Sequence, residues 1–177
     1  MSVVKEGISA RETFAELYEE YLPKVFRYIQ YKVNNMQLTE DLTSTVFEKA
    51  LTNIGKFSSD KASFSTWIFS IARNTVIDHY RVQARKQTIS LEEVVDVPSG
   101  DLSPDEELAR KEELKKLRVS LAGLSREEQE IISLKFGAEL NNRQIAKMIG
   151  LSESNVGTKL YRAVRKLRNS FLEPENG

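Results

Sequence analysis

The chain has no cysteine, a single histidine and no net charge, and these absences set the first limits on its function. Without cysteine there is neither a disulfide framework nor a thiolate metal site, and one histidine excludes a histidine-rich metal site. No apolar run approaches the ~18 residues of a membrane-spanning helix, and residues 1–11 lack the apolar core of a signal peptide. We therefore expect a cytoplasmic protein of one or two domains that does not insert into membranes.

Zero net charge argues against a nucleic-acid partner only until the charges are mapped along the chain. Residues 1–87 carry a net charge of +2, residues 88–109 carry −7, and residues 110–177 carry +5. The positive charge is concentrated in residues 142–168, whose net charge is +6. This asymmetry indicates a polyanionic partner for part of the chain, although a solvated helix face is the alternative interpretation. The acidic segment contains proline, glycine and serine but no aromatic residue, which indicates a linker.

Residues 8–87 are predicted to form an all-α domain of three helices, because no strand pattern occurs in them. Apolar residues at helical spacing over residues 14–29 predict the first helix, with a kink at Pro23. The second helix is expected to begin after Thr39, with two acidic residues in its first turn, and to end at Gly55.

A polar loop, residues 56–62, precedes the third predicted helix, residues 63–85. One side of that helix is apolar and includes Trp67, and the other side mixes basic, aromatic and amide side chains. Aromatic rings beside cations are typical of surfaces that bind single-stranded nucleic acid. An aromatic core with an ordinary solvated surface is the alternative, and periodicity alone favours it. His79 has no candidate partner residues, so we expect neither a metal site nor base catalysis there.

Capping patterns divide the C-terminal part of the chain into short helices. One helix is expected to begin with Ser103-Pro104 and to end at Gly123. A Ser or Asn followed three residues later by Glu or Gln opens further helices at 125–128 and 141–144, and glycines end them at positions 137 and 150.

After Gly150, Ser152 is expected to cap a last helix that runs to about Phe171. The helix from Asn142 to Ile149, the turn at Gly150 and this long basic helix predict a helix-turn-helix. The N-terminal part of that helix would enter the major groove of DNA. Gly157 costs it up to ~1 kcal/mol of helix propensity, which either close approach to DNA or simple tolerance explains. An αα-hairpin that binds only protein shares the pattern, but the local charge favours DNA. The candidate base and phosphate contacts are Ser154, Asn155, Thr158, Lys159, Arg162 and Arg165.

These segments resemble an extracytoplasmic-function (ECF) sigma factor, a compact promoter-specificity subunit of bacterial RNA polymerase in the sigma-70 family. Residues 64–78 read FSTWIFSIARNTVID and resemble the family signature F-x-x-W-L-x-x-I-A-R-N-x-x-I-D of sigma region 2. Residues 124–128 read LSREE and residues 156–163 read VGTKLYRA, and they resemble the two ends of sigma region 4.

The resemblance implies an all-α fold of two small helical domains joined by a flexible acidic linker. Sigma region 2 would occupy residues 8–87, the linker residues 88–109 and sigma region 4, with its helix-turn-helix, residues 110–173. The linker would thread the basic channels of the polymerase as a mimic of nucleic acid, or it would merely repel DNA. Both interpretations stay open at the level of the sequence.

The resemblance also implies a non-enzymatic protein without cofactor or metal. Region 2 would bind the β′ clamp of core RNA polymerase through a helix that bears Asp41, Leu42 and Phe47. This helix reads D-L-T-S-T-V-F where the family commonly has D-L-V-Q-E-x-F. Region 2 would recognise the −10 element and capture a flipped base of the non-template strand in its polar loop. The expected −10 contacts are Lys56, Phe57, Ser58, Ser59, Asp60, Lys61, Phe64, Arg73 and Asn74.

Region 4 would recognise the −35 element through the contacts named for the helix-turn-helix and would touch the polymerase β flap. Because family members are typically restrained by an anti-sigma factor, we expect such a partner here. The functional alternative is a helix-turn-helix regulator that acts by DNA occupancy and has a separate helical interaction domain. The region 2 signature and the polar loop argue against it, since a repressor has no need of them.

Overall fold

The computed structural model describes residues 10–33, 35–86 and 104–172, which form seven α-helices and no strand. The predicted all-α fold class is confirmed. A short 3-10 helix, Ile54–Lys56, follows the second helix, and a π-type turn, Ser133–Gly137, follows the fifth. The helices are α1 (Ala10–Val33), α2 (Met36–Asn53), α3 (Phe64–Lys86), α4 (Pro104–Ala122), α5 (Arg126–Ile132), α6 (Asn142–Ile149) and α7 (Glu153–Leu172).

The chain divides into two compact units, each of which has its own core. Unit 1 comprises Met1–Val95 with Phe136–Leu140, and unit 2 comprises Asp96–Lys135 with Asn141–Gly177. Helices α1 to α3 lie in unit 1 and helices α4 to α7 in unit 2. Helix α4 already begins at Pro104, so the last residues of the predicted linker are helical. The rest of that linker and the expected N-cap Ser103 lie outside the described residues.

The core of unit 1 forms where α1, α2 and α3 pack against one another. Tyr28 of α1 and Phe69 of α3 are fully buried, and their rings meet edge to face with centroids 5.7 Å apart. Val46 of α2 and Ile68 of α3 are also fully buried. Burying a side chain of this size stabilises the fold by about 1.5–3 kcal/mol, so these contacts hold the three helices as one body.

The beginning of α2 differs from the sequence prediction, which placed it after Thr39. The helix begins at Met36, and the Asn35 side chain caps it by accepting a hydrogen bond from the Leu38 backbone N–H at 2.8 Å. Asn is preferred over Thr as an N-cap. Thr39 is instead fully buried and donates its hydroxyl to the Asn35 carbonyl at 2.7 Å. The acidic residues expected in the first turn therefore lie in the second.

Two further details concern the helices of unit 1. Helix α1 continues as a helix on both sides of Pro23, whose side chain is exposed. Helix α2 ends at Asn53, before Gly55, and Ile54–Lys56 tightens into a 3-10 turn. Lys56 consequently belongs to a helical turn, and the polar loop proper begins at Phe57.

The two capping boxes and the glycine turn at Gly150 predicted for unit 2 are confirmed. Helix α5 ends at Ile132, earlier than predicted, and the π-type turn continues from there to Gly137. Ser125 and Glu128 form a reciprocal capping box at the start of α5, and Asn141 and Gln144 form another at the start of α6. Gly150 ends α6 with φ of 74°, the left-handed conformation that glycine adopts without steric cost. A buried cluster joins α4, α5 and α7 and comprises Leu124, Ile132 and Ala163 with Leu121, Leu160 and Leu167 packed against it.

In the described part of the chain, none of the helices combines the length and the apolar character needed to cross a membrane. The same residues contain no group of three or more His, Asp or Glu side chains arranged to hold a metal ion.

Candidate nucleic-acid interface

Helices α6 and α7 of unit 2 form the predicted helix-turn-helix. After the left-handed turn at Gly150, the Ser152 hydroxyl accepts a hydrogen bond from the Asn155 backbone N–H at 3.2 Å and so begins α7. Ile145 of α6 and Val156 of α7 are fully buried where the two helices pack. This packing fixes which side of α7 faces outward.

The outward side of α7 carries five of the six residues predicted to contact the −35 element. The Thr158 hydroxyl donates to the Ser154 carbonyl at 3.1 Å, which leaves its oxygen lone pairs as acceptors. No carboxylate in the described part of the chain pairs with Arg162 or Arg165. The five exposed residues are Ser154, Asn155, Thr158, Arg162 and Arg165.

Lys159 is the exception among the predicted contacts. Its ammonium lies 2.6 Å from the Glu127 carboxylate of α5, and its side chain is only 29% exposed. Lys166, two turns further along α7, pairs in the same way with Glu128. The sequence did not predict these two ion pairs, because Lys159 is 32 residues from Glu127 along the chain and Lys166 is 38 residues from Glu128. In the sequence, the two consecutive acidic residues of the LSREE segment are the one feature that indicates these ion pairs.

The Glu128 carboxylate is held by more than one donor. Lys166 donates to both of its oxygens, at 2.8 and 2.9 Å, and the Ser125 backbone N–H donates to one of them at 2.9 Å. These hydrogen bonds, that from Lys166 first, lower the pKa of Glu128 below its ordinary value of 4.5. Glu128 therefore serves both as the cap of α5 and as the link from α5 to α7.

The polar loop of unit 1 is anchored on an aromatic cluster. Phe57 contacts Phe64 and Trp67 at ring-centroid distances of 5.6 and 5.2 Å, and Phe64 contacts Trp67 at 5.4 Å. Tyr21 of α1 meets Phe64 edge to face at 5.0 Å. Partial burial, reinforced by the charge of Glu20, raises the pKa of the Tyr21 hydroxyl. The cluster brings the predicted contacts Phe57 and Phe64 together and directs their rings to each other.

The polar residues of the loop turn outward from this cluster. The Ser58 carbonyl accepts hydrogen bonds from the Lys61 and Ala62 backbone N–H groups at 3.1 and 3.3 Å, which closes a tight turn. Ser59, Asp60 and Lys61 are exposed on the turn. Lys56 precedes it and donates to the Asn53 side chain at 3.1 Å. The loop thus presents hydroxyl, carboxylate and ammonium groups on an apolar base.

Arg73 and Asn74 do not belong to this loop site. Asn74 lies ten residues beyond Phe64 on α3, which places it roughly 15 Å further along the helix axis. Asn74 is exposed and Arg73 is half-buried. Tyr80, on the same helix, donates its hydroxyl to the Lys32 carbonyl at 2.7 Å, and burial raises its pKa. The basic and aromatic mixture of α3 is therefore partly a packing surface.

The three residues predicted to contact the polymerase differ in their exposure. Asp41 is exposed, whereas the side chains of Leu42 and Phe47 are only 7% and 6% exposed. Phe47 packs against Tyr18 of α1 with ring centroids 4.6 Å apart. Leu42 and Phe47 thus hold α2 in the core, and the outer face of α2 is carried by Asp41 and by the exposed residues Glu40, Ser44 and Glu48.

Comparisons with known proteins identify both units. The model of sigma-70 region 2 matches residues 17–86, and that of sigma-70 region 4 matches residues 114–167. RNA polymerase sigma factor YlaC of Bacillus subtilis (strain 168) is 30% identical over 165 residues, which cover 92% of this chain and 94% of YlaC. ECF sigma factor SigX of the same organism is 30% identical, over 89% of this chain and 82% of its own. The chain belongs to the sigma-70 family, in its ECF group.

A longer ECF sigma factor and a solved structure extend the comparison. ECF sigma factor BldN of Streptomyces coelicolor is 33% identical over 156 residues, and the match spans 88% of this chain but only 59% of BldN. The sigma factor RpoE, solved with the anti-sigma factor NepR from Bartonella quintana, superimposes with a TM-score of 0.73 at 20% identity, over 90% of this chain and 97% of its own. At that identity the likeness shows that this ECF family member shares the RpoE fold.

Proposed function

We propose that this ECF sigma factor binds core RNA polymerase and directs initiation at promoters that carry −35 and −10 elements. The observation that carries the proposal is the pairing, in one chain, of a helix-turn-helix with a second unit that holds a polar loop on an aromatic base. A protein that acts by occupying duplex DNA needs only the first of these features. The family membership agrees, because both units match sigma-70 regions.

Unit 2 is proposed to recognise the −35 duplex through the exposed side of α7. Ser154, Asn155 and Thr158 lie in its first turns, where a recognition helix meets base edges in the major groove. Arg162 and Arg165 lie further along and would meet phosphates, which position the helix without carrying sequence information. Lys159 is assigned a smaller part in DNA binding because the Glu127 carboxylate already pairs with its ammonium.

Unit 1 is proposed to open the −10 element. Ser58, Ser59, Asp60 and Lys61 would hydrogen-bond a base that leaves the duplex, and the aromatic cluster beneath them would hold the turn in place. Capturing an extruded base offsets the few kcal/mol that unpairing costs, and so favours strand separation. Arg73 and Asn74, at a distance along α3, would contact the neighbouring duplex edge.

The partners follow from the same assignment. Asp41 and the exposed face of α2 would bind the polymerase β′ clamp, with Leu42 and Phe47 as the buried support, and unit 2 would touch the β flap. An anti-sigma factor is proposed as a restraining partner, since RpoE was solved in complex with one. We propose that the chain works in the cytoplasm, where polymerase and DNA are, and that it has no catalytic activity of its own.

Reconstitution with core polymerase tests the proposal. Transcription from a random-sequence promoter library is measured with core polymerase alone, with the wild-type chain, and with matched variants of each unit. We expect transcripts from a selected promoter class with the wild type only. Arg162→Ala with Arg165→Ala should weaken promoter binding, and Ser59→Ala with Asp60→Ala should retain binding but lose melting. If the chain adds no promoter-dependent transcript to core polymerase, the sigma-factor assignment fails, and DNA occupancy by a regulator becomes the better explanation.

A further inference from the structure

The cations of α7 fall into two groups that differ in their surroundings. Lys159 and Lys166 are seven residues apart, so they share one side of the helix, and both pair with consecutive carboxylates at the start of α5. Arg162 and Arg165 have no such carboxylate partner within the described residues. The first turn of α5 therefore neutralises part of the basic surface of the recognition helix.

The two carboxylates do not have the same role. Glu128 is buried, closes the capping box of α5 and is bound by Lys166 and Ser125 together. Glu127 is 45% exposed, and among the described residues it pairs with Lys159 alone. A pair of this exposure contributes little to stability, since the attraction is screened and both side chains lose rotational freedom. Stability does not explain why Glu127 faces Lys159.

Charge competition explains the pair better. A lysine on a recognition helix that contacts a phosphate releases a counterion, and this release drives DNA binding. To donate to a phosphate, Lys159 must share or break its ion pair with the carboxylate 2.6 Å away, and the Glu127 charge then lies beside the DNA. We propose that Glu127 competes with DNA phosphate for Lys159 and so lowers the DNA affinity of unit 2. This inference depends on the proposed function, in which α7 binds duplex DNA.

The consequence is a sigma factor whose unit 2 binds non-specific DNA weakly. Because the pair acts on a phosphate contact, it lowers affinity for every sequence alike. Selectivity for the promoter is then left to the residues that meet base edges and to the polymerase.

The test is a double-mutant cycle on the full-length chain. Binding to a labelled random-sequence duplex is measured by fluorescence anisotropy across a series of KCl concentrations. The proteins are the wild type, Glu127→Gln, Lys159→Gln and the double variant. Glu113→Gln, which removes one exposed carboxylate from α4, is the matched control for overall charge.

We expect Glu127→Gln to bind about three- to tenfold more tightly than the wild type, with a salt slope steeper by about 0.9, the contribution of one phosphate contact. Lys159→Gln alone should weaken binding, because it leaves the Glu127 charge unpaired beside the DNA, but by less than it does in the Glu127→Gln background, where it should remove the whole gain. Glu113→Gln should leave the slope unchanged.

Two results would overturn the inference. One is a gain in DNA affinity for Glu127→Gln that is no larger than the gain for Glu113→Gln. The other is a loss of DNA affinity from Lys159→Gln that is equal in the wild-type chain and in the Glu127→Gln variant. Failure of the proposed function looks different. In that case the wild-type chain gives no promoter-dependent transcript with core polymerase, whatever the variants do.

Discussion

The Glu128 carboxylate and the Lys166 ammonium join the first turn of α5 to the middle of α7, with both carboxylate oxygens within 2.9 Å of the Lys166 nitrogen. The same carboxylate accepts the Ser125 backbone N–H. One side chain thus satisfies an orphan donor of a helix terminus and fixes the helix that is proposed to meet DNA. The proposed −35 recognition surface would therefore depend on Glu128, a residue that is not itself one of the proposed DNA contacts.

Removing the charge of Glu128 should make the stability of unit 2 less dependent on pH. Glu128→Gln keeps a residue that suits a capping box, as Gln144 does in α6, but loses the ion pair. Because the pKa of Glu128 is lowered in the folded state, its contribution is fully present above the ordinary value of 4.5 and is lost as the pH falls through the lowered pKa. We expect the variant to be about 1 kcal/mol less stable at neutral pH and to match the wild type in acid.

Urea unfolding of the full-length chain at a series of pH values measures this difference. Lys166→Gln is the partner control and should lose the larger part of this pH-dependent contribution, because the Ser125 backbone N–H still donates to Glu128. A difference between wild type and Glu128→Gln that stays constant from neutral to acid pH would contradict the assignment.

Replacing Gly150 should weaken the helix-turn-helix through the backbone alone. Its φ is +74°, and a Cβ built there meets no atom within 4 Å, so crowding contributes nothing. The left-handed conformation costs a residue with a Cβ about 1–2 kcal/mol. Gly150→Ala should lower the free energy of unfolding by about that amount, and Gly150→Asn by less, because Asn tolerates this conformation. Equal urea midpoints for the alanine and asparagine variants would show that the turn has relaxed instead.

Gly157→Ala should have the opposite effect. A Cβ at this position would lie 3.6 Å from the Asn142 side-chain nitrogen, an ordinary van der Waals contact with α6. Alanine stabilises a helix interior by up to about 1 kcal/mol over glycine. We expect the variant to be more stable than the wild type and to bind DNA equally well, because the new methyl group faces α6. A stable variant that binds DNA more weakly would instead support the close approach of the α7 backbone to DNA.

Phe57→Ala should affect promoter opening more than promoter binding. The ring packs on Phe64 and Trp67, and its loss removes the apolar base of the polar turn. Because Phe57 is only half-buried, we expect a cost of about 2 kcal/mol, below the roughly 3–5 kcal/mol of a fully buried ring. Permanganate reactivity of unpaired thymines measures opening, and gel shift measures binding. Phe57→Leu, which retains an apolar contact, should recover part of the promoter opening. If Phe57→Ala opens the promoter as well as the wild type does, the ring does not have this role.

The helix boundaries show which features of the fold local sequence patterns can predict. The two capping boxes and the glycine turn were predicted correctly because each depends on residues within three or four positions of one another. The start of α2 was predicted wrongly because the prediction placed the cap at Thr39, although Asn35, four residues earlier, is the stronger cap residue. The burial of Thr39 in the core of unit 1 agrees with its place inside the helix.

By itself the sequence determined the all-α class, the helix-turn-helix and the family, because helical period, caps and motifs are written in residues close along the chain. Tertiary structure alone decided that Leu42 and Phe47 are buried, that Phe57 packs on Trp67, and that Lys159 is held by Glu127. An apolar helix face suits a core and a partner equally well, and a lysine suits a phosphate and a carboxylate equally well. Which of them a side chain meets depends on helices brought together from distant parts of the chain.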